Sequence, residues 1–185
     1  MSRALQWTQS ARIVALVGLV GCTPLSTESM MPGSVERAAQ PGGRTLRVAP
    51  VVGGEGEFHF FTGSERIYYV GNEQLQAALV DALDESRLFR SVASDGPGDF
   101  ELSTRIVSQD CQPASESGYL HCVLVVNYRL REVATARDAW SDTLVTRGHA
   151  TGGPEGTAAA NRKALSAAAQ RSLTEMLRKL SEALP

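Results

Sequence analysis

The most constraining feature of this chain is a regular alternation of side-chain character between Tyr119 and Arg131. Every second residue is apolar or weakly polar: Leu120, Cys122, Leu124, Val126, Tyr128 and Leu130. The positions between them are apolar only in the middle: His121, Val123, Val125, Asn127, Arg129 and Arg131. Because successive side chains of a strand point to opposite faces, this pattern predicts a long central strand with one fully buried face.

Shorter alternations lie on either side of this strand. Phe100, Leu102 and Ile106 alternate with polar residues, which predicts a half-buried strand before it. After a turn at residues 134–139, Trp140 opens another alternating run that continues to Thr146. The three runs together predict an antiparallel meander. A further strand is predicted over residues 46–52, where Pro50 favours an edge position.

Two amphipathic helices are predicted beside the strands. The first has Asn72 as its N-cap and runs to about Leu88. The second starts near residue 155 or 157 and reaches Leu184. Its apolar positions recur at three and four residues: Leu165, Ala169, Leu173, Met176, Leu180 and Leu184. Strand, helix, antiparallel strands and a long helix, in that order, predict an α+β two-layer sandwich, with a mainly antiparallel sheet and both helices packed on one face.

The N-terminus carries a short apolar run, Ile13–Val20, with Arg3 and Arg12 before it. As a helix the run spans about 12 Å, far less than the bilayer core, so it predicts no transmembrane anchor. A basic start, a short apolar stretch and small residues at its end are typical of a signal peptide, here residues 1–21.

The residues Leu19-Val20-Gly21-Cys22 resemble the lipobox of bacterial lipoproteins. The resemblance implies a diacylglyceryl group on the Cys22 thiol, cleavage before Cys22 and an N-acyl chain on the new amine, with no other cofactor. Several acyl chains anchor a protein firmly in a membrane. By the sorting pattern of such lipoproteins, Thr23 implies the outer membrane, with the protein facing the periplasm. The alternative is an ordinary signal peptide with a coincidental cysteine.

Composition divides the rest of the chain. Residues 22–45 are polar and rich in small residues, which predicts a lipidated cysteine on a flexible tether with a reach of roughly 25 to 30 Å. Residues 46–185 are predicted to form a single periplasmic domain. The hydrophobic fraction of 43% is ordinary for a globular protein. The net charge of −2 becomes about −4 without Arg3 and Arg12, which does not favour nucleic-acid binding.

Cys111 and Cys122 remain as a pair once Cys22 is lipidated. The periplasm is oxidising, so we expect a disulfide, with two free thiols as the alternative. A regular hairpin with these cysteines opposite each other would mix the polar face of one strand with the apolar face of the next. We therefore predict either a β-bulge between Ile106 and Cys111 or a Cys111 that has left the ladder.

A cluster of aromatic residues lies between the first strand and the first helix: Phe58, Phe60, Phe61, Tyr68 and Tyr69. Two interpretations remain open, a flap that closes the core and an exposed patch for a partner or a lipid. His59, His121 and His149 lie in unrelated segments without ligand spacing, so no metal site is predicted. No catalytic constellation is recognisable either, and we expect no enzyme.

Several segments resemble a loose group of small envelope lipoproteins. These segments are residues 78–92, 99–102, 128–130, 140–142 and the last helix. They are similar to the auxiliary lipoproteins of ABC-type transport systems, the plug lipoprotein of lipopolysaccharide export and the lipoprotein activators of peptidoglycan synthases. The resemblance implies a non-catalytic accessory role with envelope protein partners, and it leaves the oligomeric state open. The alternative is a small-ligand or lipid binder that uses residues 58–69 over the sheet.

Overall fold

The computed structural model describes residues 22–40, 42–54, 68–113, 119–152 and 156–184. Their elements follow in chain order: β1 (Thr23–Pro24), α1 (Thr27–Met30), β2 (Thr45–Val48), β3 (Tyr68–Tyr69), α2 (Asn72–Ser86), β4 (Ser91–Ala93), β5 (Phe100–Pro113), β6 (Tyr119–Glu132), β7 (Arg137–Thr151) and α3 (Gly156–Ala183). Among these residues, no helix combines the length and apolar character needed to span a bilayer.

Five strands form the main sheet in the order β4-β2-β5-β6-β7. The antiparallel meander of β5, β6 and β7 is confirmed, whereas β2 pairs in parallel with both of its neighbours. The connection from β2 to β4 includes α2, which packs with α3 on one face of the sheet. The predicted α+β sandwich is therefore confirmed, with a mixed sheet and a second, two-stranded sheet of β1 and β3.

The core lies between this face of the sheet and the two long helices. All six alternating positions of β6 are buried, as the sequence predicts. Tyr128 is fully enclosed, its hydroxyl lies 2.9 Å from the Ser172 hydroxyl of α3, and burial raises its pKa. Gly148 of β7 allows α3 to approach closely, because a Cβ there would lie 1.8 Å from the Ala164 carbonyl oxygen. These contacts fix α3 on the meander.

A β-bulge interrupts the pairing of β5 with β6, as predicted. Ile106 pairs with Val126 and Ser108 with Val125, so Val107 is the extra residue. An extra residue reverses the faces of all positions after it. Gln109 and Cys111 consequently point to the buried side. Cys111 then pairs with Cys122, and the structure contains the disulfide between them.

Gln109 points to the buried side, where its side chain bonds the segments just before and just after residues 55–67. Its Oε1 accepts from the Val70 amide at 2.7 Å, and its Nε2 donates to the carbonyls of Gly54 at 3.4 Å and Val70 at 3.3 Å. Asn72 adds a bond, since its Oδ1 accepts from the Gly54 amide at 2.7 Å. The predicted N-cap role of Asn72 is wrong, because Gly71 holds that position.

The segment predicted as a flexible tether is packed against the domain, which corrects that expectation for residues 23–40. Leu25 and Met30 are fully buried, and their two large apolar side chains explain why the segment does not stay in solvent. The Leu25 amide donates to the Tyr69 carbonyl at 2.8 Å, and the Ala38 amide donates to the Ser86 carbonyl at 2.8 Å. We call residues 23–40 the N-terminal strap.

Deletion of Val107 tests the bulge. The residue pairs on both sides of it are compatible with a regular ladder, so we expect the deletion to change the free energy of unfolding by less than about 1 kcal/mol and to leave no free thiol at Cys111 or Cys122. Deletion of Ser103 is the control. It turns either Leu102 outward or Arg105 inward, and we expect a loss above about 4 kcal/mol. Urea denaturation and thiol titration measure both effects. Equal damage by the two deletions would contradict the register.

Replacement of Gln109 tests its hydrogen bonds to Gly54 and Val70. Gln109→Ala leaves the Val70 amide without its buried acceptor, so we expect a loss of about 1–3 kcal/mol in urea denaturation. The matched control is Gln112→Ala, three residues further along β5, because the Gln112 side chain is exposed and donates to the Asp110 carboxylate. A Gln109 variant as stable as the Gln112 variant would show that the link contributes nothing.

Candidate binding surface on the open face of the sheet

The helices cover only one face of the meander, and within the described part of the chain no element covers the other. Ser108, Val125 and Val145 lie side by side across β5, β6 and β7 on this open face. The bulge adds Val107 to the same face, with 56% of its surface exposed, and Val145 is 51% exposed. Val123 lies on β6 between Asp110 and Arg147. We call Val107, Val123, Val125 and Val145 the valine patch.

Three arginines lie on one side of the valine patch: Arg105, Arg129 and Arg131. Arg129 donates from Nε to the Asp138 carboxylate at 2.7 Å, which lowers the pKa of that carboxyl. The Arg131 Nε donates to the Ala136 carbonyl at 3.1 Å. These arginines are exposed, so the patch has a basic, hydrated border on this side.

On the other side of the patch lies a row of Gln112, His121 and His149 across the three strands. The Nδ1 atoms of the two histidines are 2.8 Å apart. The prediction that these histidines are unrelated is therefore wrong for His121 and His149. One signal could have found it: alignment of the apolar Leu144 with Val126 places His149 opposite His121. In the described ranges, no group of three or more His, Cys, Asp or Glu side chains could hold a metal ion.

The predicted aromatic cluster is only partly located. Phe58, Phe60 and Phe61 fall outside the described residues, so the choice between flap and exposed patch stays a prediction. Tyr68 and Tyr69 form β3 and are half-buried beside β1. The Tyr68 amide donates to Asn161 Oδ1 at 2.7 Å, and the Arg162 guanidinium lies 5.7 Å from the Tyr68 ring. These two tyrosines therefore dock the N-terminal strap to the start of α3.

A cavity of about 550 Å³ lies between residues 34–39 of the strap and the second half of α3. Its wall combines Val35, Leu88 and Leu177 with polar groups. Arg37 on the strap pairs with Glu85 of α2 at 2.9 Å. None of the lining residues is aromatic, so this cavity is not the ligand site predicted at residues 58–69.

Cys22, the predicted lipidation site, is exposed and carries a free thiol in the structure. It directly precedes β1, whose residues Thr23 and Pro24 pair with Tyr68 and Tyr69. Cys22 therefore lies at the edge of the folded domain. The thiol is accessible for acylation there.

Comparison with known proteins gives the fold. No protein-family model and no curated protein matches the chain. A Xanthomonas campestris protein of the DUF330 family aligns with a TM-score of 0.61 at 18% identity, over 88% of this chain and 96% of that one. A hypothetical Chlamydia trachomatis protein aligns with a TM-score of 0.57 at 9% identity, over 78% of this chain and 98% of that one.

The dodecameric PelC of Paraburkholderia phytofirmans aligns with a TM-score of 0.51 at 14% identity, over 79% of this chain and 92% of that one. At these identities the similarity establishes a common architecture and no common activity. The chain therefore has the same fold as the DUF330 protein over nearly the whole length of both.

Proposed function

We propose that this chain is a lipid-anchored, non-catalytic accessory protein of the bacterial envelope. It faces the periplasm from the outer membrane and binds a protein partner through the open face of its sheet, in the transport or assembly of envelope components. The observation that carries this proposal is the valine patch, an exposed apolar centre within a charged and polar border. An apolar centre with a hydrated rim is the usual anatomy of a protein interface.

The position of Cys22 supports the anchoring. Acyl chains on its thiol and amine would each contribute about 0.8 kcal/mol per buried methylene, enough for two or three chains to hold the domain on a bilayer. Since β1 begins at Thr23, the strap leaves no free tether between the lipid and the domain. The domain would therefore lie at the membrane surface, and a partner would meet it there.

The buried polar groups support a non-catalytic role. Tyr128 and Ser172 are bonded to each other within the core, where no substrate reaches them. The Gln109 side chain is hydrogen-bonded to Gly54 and Val70. These side chains stabilise the fold, which agrees with the accessory role that the resemblance to envelope lipoproteins implies.

Cys22→Ser tests the anchor. We expect the wild-type chain in the membrane fraction and the variant in the soluble periplasmic fraction, because the variant lacks the thiol that the acyl chains need. Thr23→Ala keeps the cysteine and is the control, expected in the membrane fraction. Cell fractionation with immunoblotting measures the distribution. A Cys22→Ser chain that stays with the membrane would refute the lipid anchor.

Val145→Glu tests the binding surface. A charge in the middle of the valine patch would have to lose water on contact, so we expect at least a tenfold loss of crosslinks to an envelope protein, about the cost of one desolvated charge at an interface. Ser94→Glu, in the exposed turn after β4, carries the same charge outside the patch and should crosslink like wild type. Both variants should keep the wild-type melting temperature. Unchanged crosslinks of the folded Val145→Glu variant would contradict the proposed surface.

A further inference from the structure

We propose that His121 and His149 form a two-imidazole site for a divalent transition-metal ion of the Cu²⁺ or Ni²⁺ class. The site lies on the open face of β6 and β7, and it stands independently of the proposed partner-binding function. The two histidines are a directly opposed cross-strand pair. Imidazole nitrogen is a preferred ligand of these ions.

The spacing of the two nitrogens favours one coordination geometry. At a metal–nitrogen distance of about 2.0 Å, cis ligands of a square-planar or tetragonal ion are about 2.8 Å apart, and tetrahedral ligands about 3.3 Å apart. The Nδ1 atoms are 2.8 Å apart. The rings lie side by side, with centroids 4.6 Å apart and planes at 31°. Small rotations about χ2, a soft torsion in histidine, can direct both Nδ1 lone pairs to one ion.

The backbone beneath the pair is held rigidly. Cys122 follows His121 directly, and its disulfide to Cys111 crosslinks β6 to β5 at the adjacent row. Gly148 precedes His149 and lies tightly against Ala164 of α3, which fixes β7. On crosslinked and packed strands, little conformational entropy is lost when an ion orders the two ligands. The sheet thus preorganises both imidazoles.

Among the described residues, the surroundings of the pair offer access to an ion and further oxygen ligands. His149 is exposed and lines a shallow cleft with Tyr119, Thr151 and Lys163. Gln112 lies beside His121, and its Nε2 donates to Asp110 at 2.7 Å, so its amide oxygen is the one other ligand candidate in the row. Two imidazoles, an amide and water make a nitrogen and oxygen donor set, which suits tetragonal Cu²⁺ or Ni²⁺.

The test is a titration of the full chain with Cu²⁺ alone, followed by isothermal calorimetry and pulsed EPR. Every sample carries Cys22→Ser, so that this thiol neither binds nor reduces the ion. We expect one Cu²⁺ per chain, a tetragonal spectrum and two coupled imidazole nitrogens. His121→Asn and His149→Asn should each weaken binding at least about tenfold and leave one coupled imidazole.

His59→Asn is the control, since it removes a histidine elsewhere in the chain, and it should bind Cu²⁺ like the parent. The melting temperature without metal should be the same for the parent, His121→Asn and His149→Asn, because both replaced side chains lie on the open face. Metal should raise the melting temperature of the parent and of His59→Asn only. Equal Cu²⁺ affinity in all variants, or loss of the site in His59→Asn alone, would overturn the proposal.

Discussion

The register of β5 against β6 is the constraint on which the rest of the structure depends. Each of the two strands contributes a row of buried apolar side chains to the core, and a slip of one residue would turn such a row toward solvent. The chain has one residue too many for a regular ladder, and the bulge at Val107 absorbs it. Before the bulge Ile106 faces the core, and after it Gln109 and Cys111 do. A single backbone irregularity thus reconciles the apolar pattern with the cysteine pair.

The same bulge connects the sheet to its surroundings. Gln109, turned inward, bonds both Gly54 and Val70, and Val70 lies directly between β3 and α2. β3 in turn pairs with β1 of the N-terminal strap. Hydrogen bonds and strand pairing therefore run from the middle of β5 to Thr23, the residue after Cys22.

The open face is organised by the pairing that forms the core. Because side chains alternate, the register that places Leu144 beside Val126 in the core also places Val145 beside Val125 and His149 beside His121 outside. The face is apolar in its middle, basic on one side and carries paired imidazoles on the other. The proposed partner surface and the proposed metal site lie in different rows of this one sheet face.

The sequence by itself determined the elements whose signal is local. The alternation in β6 and the apolar period of α3 were readable from spacing, since each depends only on neighbouring residues. The conflict between the cysteine pair and the apolar pattern left two alternatives, and the structure has the bulge. The tertiary structure alone decided the parallel pairing of β2, the burial of Leu25 and Met30, and the meeting of His121 with His149. These depend on contacts between distant segments. Residues 23–40 have the composition of a tether. Leu25 and Met30 become buried only because other parts of the folded domain, including α2 and α3, pack around this segment.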